Sequence, residues 1–142
     1  MMPDLDGKWT GELIYDDSFG KLAHETLFFV VVIDKTGDEF KGIYLDIDGI
    51  GMNASEARVM GFVQQEYINF VKECRSANYS EKDNGILNPE NKQGSQISFS
   101  GFFNDSSHEF EGEWISFTDF RAFNNNVPGQ FKGGTWRMRK QV

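Results

Sequence analysis

The sequence predicts an all-β chain, a closed antiparallel up-and-down barrel of about eight strands. Three observations carry that prediction. Apolar and polar residues alternate with period two through most of the chain, and no long segment follows the helical period of about 3.6. Polar turn clusters cut the alternation into short pieces of similar length. An aromatic residue, any residue and then glycine recur in five of those pieces: Trp9-Thr10-Gly11, Phe40-Lys41-Gly42, Phe99-Ser100-Gly101, Phe110-Glu111-Gly112 and Phe131-Lys132-Gly133. Residues two apart in a strand share a face, so each glycine lies beside a ring on the same side. Glycine weakens a strand but lets a sheet bend sharply where a ring covers it, which favours curvature and closure.

The predicted strands are 7–15, 24–34, 38–47, 57–64, 66–74, 95–103, 108–117 and 131–140. In the first, Trp9, Gly11 and Leu13 oppose Lys8, Thr10 and Glu12, and the turn residues Asp16-Asp17-Ser18 with Gly20 follow. The second holds Leu27-Phe28-Phe29-Val30-Val31-Val32-Ile33, apolar on both faces. Lys35-Thr36-Gly37-Asp38 turns the chain into the third, where Phe40 and Tyr44 oppose Ile43, Leu45 and Ile47. Asn104-Asp105-Ser106-Ser107 separates the sixth strand from the seventh, in which Phe110, Gly112 and Trp114 oppose Glu109, Glu111 and Glu113. In the eighth, Trp136 and Met138 oppose Arg137 and Arg139. Short connections pair sequential strands as hairpins. The outward glutamates and arginines of neighbouring strands then stabilise one another modestly. Longer connections at 48–56, 75–94 and 118–130 either serve as binding loops or simply run over the surface. With no linker or low-complexity tract, 1–142 reads as a single β-barrel domain.

A chain of 142 residues can bury a substantial core without staples. Its one cysteine, Cys74, excludes an internal disulfide framework and cysteine-rich zinc patterns. The opening Met1-Met2-Pro3-Asp4-Leu5-Asp6 has no apolar stretch of the kind a secretory leader needs, so a reduced, cytoplasmic setting is expected. The run from Leu27 to Ile33 is too short to cross a bilayer as a helix, and no membrane partner is expected. Acidic residues outnumber basic ones 22 to 14, for a net charge of −8, which argues against nucleic-acid binding through phosphate contacts.

Gly7-Lys8-Trp9 opens the first strand, and Gly134-Thr135-Trp136-Arg137-Met138-Arg139 lies in the last. These residues resemble the lipocalin and avidin group of barrels, the calycins, in which a G-x-W opens strand one. The resemblance implies a lipocalin-like barrel in which a basic residue of the last strand packs over that tryptophan. Trp9 matches the motif tryptophan, and Arg137 or Arg139 would cover it through a cation–π contact and close the barrel. Thr118-Asp119-Phe120 resembles the T-D-Y loop of lipocalins, yet only one strand follows it here, and the family's disulfide cysteines are missing.

Other chemistry-bearing residues form no constellation. His24 and His108 sit near strand starts, where each could act in a cavity or simply mark a rim. Asp46-Ile47-Asp48-Gly49 is similar to the start of a calcium loop, but its glycine falls too early and strands flank it, so no metal is implied. Cys74 has no adjacent base. Asn53-Ala54-Ser55, Asn78-Tyr79-Ser80 and Asn104-Asp105-Ser106 match the glycosylation triplet, which matters only to a secreted chain. No G-x-S-x-G, phosphate loop or H-E-x-x-H is present, and neither a cofactor nor enzymatic activity is expected.

Two functional readings follow, with an enzyme third. An eight-stranded barrel can hold one small molecule, and Trp9, Phe28 or Phe29, Tyr44, Phe70, Phe99, Phe110, Trp114 and Trp136 would line it for an apolar or planar ligand. Alternatively those rings plug the barrel, which then works as a structural or protein-interaction module. The outward apolar residues of 24–34 and 38–47 predict a homo-oligomer through those strands, because a large apolar patch rarely stays bare.

Overall fold

The computed structural model describes residues 2–49, 56–73, 96–118 and 130–141. Their eight strands close into one antiparallel barrel in sequence order. They are β1 (Gly7–Tyr15), β2 (Thr26–Thr36), β3 (Glu39–Gly49), β4 (Ala57–Gln64), β5 (Tyr67–Glu73), β6 (Gln96–Asn104), β7 (Glu109–Thr118) and β8 (Gln130–Lys140). Closure is direct: β1 pairs with β2 on one side, Trp9 opposite Val31, and with β8 on the other, Leu13 opposite Trp136. The barrel predicted from alternation is the one that forms.

The predicted second strand began too early. After Tyr15 the chain makes a 3-10 segment, Asp17–Leu22, and then turns at His24, whose φ is 70°. Backbone bonds from Tyr15 N to Glu25 O (3.0 Å) and from His24 N to Tyr15 O (2.6 Å) hold this return. His24 thus shapes a corner and bonds Asp17 at 3.0 Å on the surface.

Strand parity fixes the two faces. Trp9, Leu13, Phe29, Val31, Tyr44, Val59, Ile68, Phe70, Phe99, Phe110, Trp114, Trp136 and Met138 point inward and are buried. Where a ring covers an inward glycine, as at Gly11, Gly112 and Gly134, it comes from the neighbouring strand and not from two residues along. Trp136 lies opposite Gly112, where an added Cβ would stand 1.9 Å from the carbonyl oxygen of Ser100. The indole passes over that glycine and donates to Ser100 O at 3.1 Å and Glu113 O at 3.0 Å. Trp114 repeats the device over Gly134, donating to Ile14 O at 3.3 Å, and a Cβ on Gly134 would again meet that oxygen at 1.9 Å. Each glycine lets a bulky ring reach the strand beyond its neighbour, which draws the sheet into a tight curve.

The tight turns between β2 and β3, β4 and β5, and β6 and β7 share one end with the start of β1 and the finish of β8. The N-terminal segment seals that end. Leu5 is buried, and its carbonyl accepts a 2.8 Å bond from the indole N–H of Trp9. Asp6 accepts from Lys35 N at 2.6 Å, and Lys140 donates to Asp4 O at 2.6 Å. Beneath this plug Trp9 packs against Phe110 at 5.5 Å between ring centroids, and Phe103 packs against Phe110 at 5.2 Å.

The cation–π seal over Trp9 does not form. Because Trp136 and Met138 point inward, alternation sends Arg137 and Arg139 outward, where Arg137 pairs with Glu12 and Arg139 with Glu109 at 3.3 Å. Leu5 takes the covering role instead. The facing-charge expectation drawn from parity is the one that fits.

Candidate functional site

The inward residues change character along the barrel axis. At the plugged end they are apolar; at the other, where β1, β3, β5 and β7 finish, they include Tyr15, Asp46, Lys72 and Ser116. All the longer connections leave from this second end, the mouth.

Asp46 and Lys72 form the centre of the mouth. β3 alternates Phe40, Tyr44 and Asp46 inward, and β5 alternates Ile68, Phe70 and Lys72 inward, so both charged groups are carried into the barrel by strand parity. Their side chains are 3% and 10% exposed, and Lys72 Nζ lies 4.0 Å from an Asp46 carboxylate oxygen. The ammonium stands over the Tyr44 ring, 4.2 Å from its centroid, a cation–π contact. Tyr44 in turn stacks on Phe29 at 4.7 Å. On the opposite wall Tyr15 meets Trp114 edge to face at 5.8 Å. Burial pushes the Tyr15 phenol up from its ordinary pKa, and the negative charge of Asp46 pushes it the same way. A bulge in β3 shapes this corner: Phe28 lies opposite Asp48 and Phe29 opposite Asp46, leaving Ile47 as the extra residue. The segment that is similar to the start of a calcium loop is therefore a bulged strand end. Among the described residues no three histidine, cysteine or acidic side chains converge as a metal site would require.

Of the residues expected to line a cavity, Phe28 faces outward by strand parity and leaves the inner position to Phe29; the others are inward, but they meet one another. Phe70 stacks on Phe99 at 4.4 Å, and Trp136 stands edge-on to both, at 5.5 and 5.6 Å. Trp9, Phe99 and Phe110 have no exposed surface, so no water-sized void lies against them. Tyr44 and Trp114 belong to the mouth; Trp9, Phe70, Phe99, Phe110 and Trp136 fill the barrel below it. His108 closes the turn before β7 with φ 57° and packs its ring on Phe103, far from the mouth. Asn104 organises that turn, accepting from Ser106 N at 2.9 Å. Cys74, Asn53, Asn78, Asp119 and Phe120 lie outside the described residues, as do the central parts of the three long connections.

With the barrel and its mouth defined, the chain can be set beside known proteins. No protein-family model matches it, and no curated protein matches it. Solved structures do. The rhizavidin–biotin complex superposes with a TM-score of 0.59 at 12% identity, over 98% of this chain and 93% of that one. Apo shwanavidin gives 0.58 at 14% identity, over 99% and 100%. Apo short afifavidin gives 0.54 at 16% identity, over 96% of each. The fold is similar to that of the avidin-like barrels. At these identities the likeness concerns the fold, so the chemistry of the mouth has to be argued from this chain's own residues.

In the sequence Asp46 stands out only as part of a calcium-loop-like segment and Lys72 is not singled out, although the signal for both is present. Each follows an inward aromatic by two positions, Tyr44 and Phe70 respectively, and parity alone places both inside.

Proposed function

We propose that this chain is a binding protein that takes a small molecule at the mouth formed by Tyr15, Tyr44, Asp46, Lys72 and Trp114, and that it is not an enzyme. The observation that carries this reading is the buried Asp46–Lys72 pair. Removing two charges from water costs several kcal/mol for each ion, and apolar residues of similar size are often at least as stable. A barrel that keeps such a pair at the end opposite its N-terminal plug, beside aromatic walls, has the makeup of a recognition site: apolar surface with a few converging polar groups. Biotin complexes of rhizavidin and short afifavidin add support at the level of fold. Because the rings below the mouth are packed together, a planar ligand of modest size is favoured over a long apolar chain. The test is tryptophan fluorescence and calorimetry with biotin, planar aromatic dyes and fatty acids. Saturable binding weakened by Lys72→Gln supports the proposal; no binding by any of them overturns it.

A second reading concerns the outer face. Phe28, Val32, Ile43 and Ile47 are 41–50% exposed on β2 and β3, with Val32 directly opposite Ile43. A contiguous apolar patch of this kind favours a homo-oligomer through these two strands. Sedimentation should report an oligomer that Val32→Lys dissociates, and a monomer at high concentration removes the reading.

A further inference from the structure

The outer surface of β4, β5 and β6 carries rings that the barrel core does not use. Phe62, Tyr67 and Phe102 stand side by side on the three strands, with Tyr67 6.0 Å from Phe62 and 5.2 Å from Phe102 between ring centroids. The rings are tilted by 51° and 56° instead of stacked, so neither contact covers a whole ring face. Phe102 is 63% exposed and Phe62 40%, and Met60, on the same face two residues before Phe62, is 59% exposed. Asn69 fixes Tyr67, its Nδ2 donating to the phenol oxygen at 3.1 Å. At the outward positions beside these rings, Asn69 and Val71 of β5 and Ser98 and Ser100 of β6, no side chain is charged. A centre rich in aromatic residues and methionine and poor in charge has the composition of an interface core.

The rim of this face is acidic. Glu39 lies opposite Phe62, Glu111 opposite Phe102 and Glu113 opposite Ser100, and all three glutamates are exposed. Asp38 and Glu39 line an open hollow together with Met60 and Phe62. Asn104 steadies Glu111, donating to its carboxylate at 3.1 Å. The neighbouring basic residues already face carboxylates: Lys41 lies opposite Asp34, Arg58 opposite Glu73, and Arg137 pairs with Glu12. The rim thus keeps a surplus of negative charge. A second copy of this chain fits it poorly, because a two-fold contact would set one acidic rim against the other. A guanidinium fits it well: it lies flat on an aromatic face and offers paired donors to carboxylates.

We propose that the β4–β6 face docks a basic peptide segment of a partner protein, with arginine side chains over Phe62, Tyr67 and Phe102 and held by Glu39, Glu111 and Glu113. The surface lies on the outside of the barrel and works independently of the mouth.

Peptides of five Gly-Arg, Gly-Lys or Gly-Glu repeats, each titrated into the full chain and followed by protein NMR, decide it. The arginine peptide should bind saturably and shift the Tyr67 ring and Asn69 amide signals. The lysine peptide should bind at least about threefold more weakly, and the glutamate peptide not at all. Phe62→Ser with Phe102→Ser leaves the net charge unchanged and should weaken the arginine peptide at least about tenfold. Glu39→Gln with Glu113→Gln should weaken it as well, with both double variants checked for an intact fold by their melting temperatures. Undiminished binding to the Ser variant would mean that the acidic chain merely attracts cations, and it overturns the proposal. So does a lysine peptide that binds as tightly as the arginine one, or an arginine peptide that does not bind. A chain that sediments as a dimer, and that the Ser variant returns to monomers, would give the face to a second copy and overturn the proposal too.

Discussion

The indole N–H of Trp136 reaches the carbonyl oxygen of Ser100 at 3.1 Å, although β7 runs between the strands that carry them. It can do so only because Gly112 has no side chain where the ring crosses. Gly112→Ala would set a methyl group 1.9 Å from that oxygen, on backbone that cannot swing aside. We expect a loss of about 3 kcal/mol, at the upper end of overpacking costs, measured by chemical denaturation. An unchanged midpoint would show that the curve does not depend on this crossing.

Trp9 seals the opposite end through Leu5 and Phe110. Trp9→Ala removes a fully buried indole and should cost about 3–5 kcal/mol, as large core truncations do. A melting temperature close to that of the unaltered chain would contradict this assignment.

Both of those residues were legible as inward-facing from alternation, and so were the eight strands, because period two is a local property of the sequence. What alternation cannot carry is which ring covers which glycine, since that depends on register between strands. Trp136 over Gly112 is a pairing across the β7–β8 ladder that no spacing within either strand encodes. The mouth is hard to read for a different reason. Large aromatic residues look like cavity lining, whereas in a filled barrel the informative inward residues are the polar ones, Asp46 and Lys72. The arginine seal failed where a family resemblance and strand parity disagreed, and parity was right.

Arg137 therefore serves as a test of position. On the outer face it is more than half exposed and pairs with Glu12. Exposed pairs contribute little, so Arg137→Ala should lower stability by less than about 1 kcal/mol. A loss comparable to that of Trp9→Ala would mean that the arginine does reach the barrel base.

Tyr15 gives the mouth a pH signature. Its phenol is pushed above the ordinary value by burial first and by Asp46 second. In the unfolded chain the phenol loses its proton near pH 10, earlier than in the fold. Below that pH both states hold the proton and the full contribution is present. As pH rises through 10 toward the folded value the native state binds more protons, and stability falls. Tyr15→Phe should accordingly make the decline of stability above pH 10 shallower, read from denaturation midpoints between pH 9 and 11. Parallel profiles for the two proteins would count against the buried setting of Tyr15.

The Asp46–Lys72 pair makes opposite predictions for breaking it and for removing it. Lys72→Met strands a carboxylate whose side chain is 3% exposed, and the loss should be about 3–5 kcal/mol. Replacing both, Asp46→Leu with Lys72→Met, removes the desolvation cost of each charge along with their attraction. The double variant should recover to within about 1 kcal/mol of the unaltered chain or exceed it. That recovery, seen in a double-mutant cycle by urea denaturation, would separate a pair kept for recognition from one kept for stability. Additive losses would instead make the pair a structural element of the barrel.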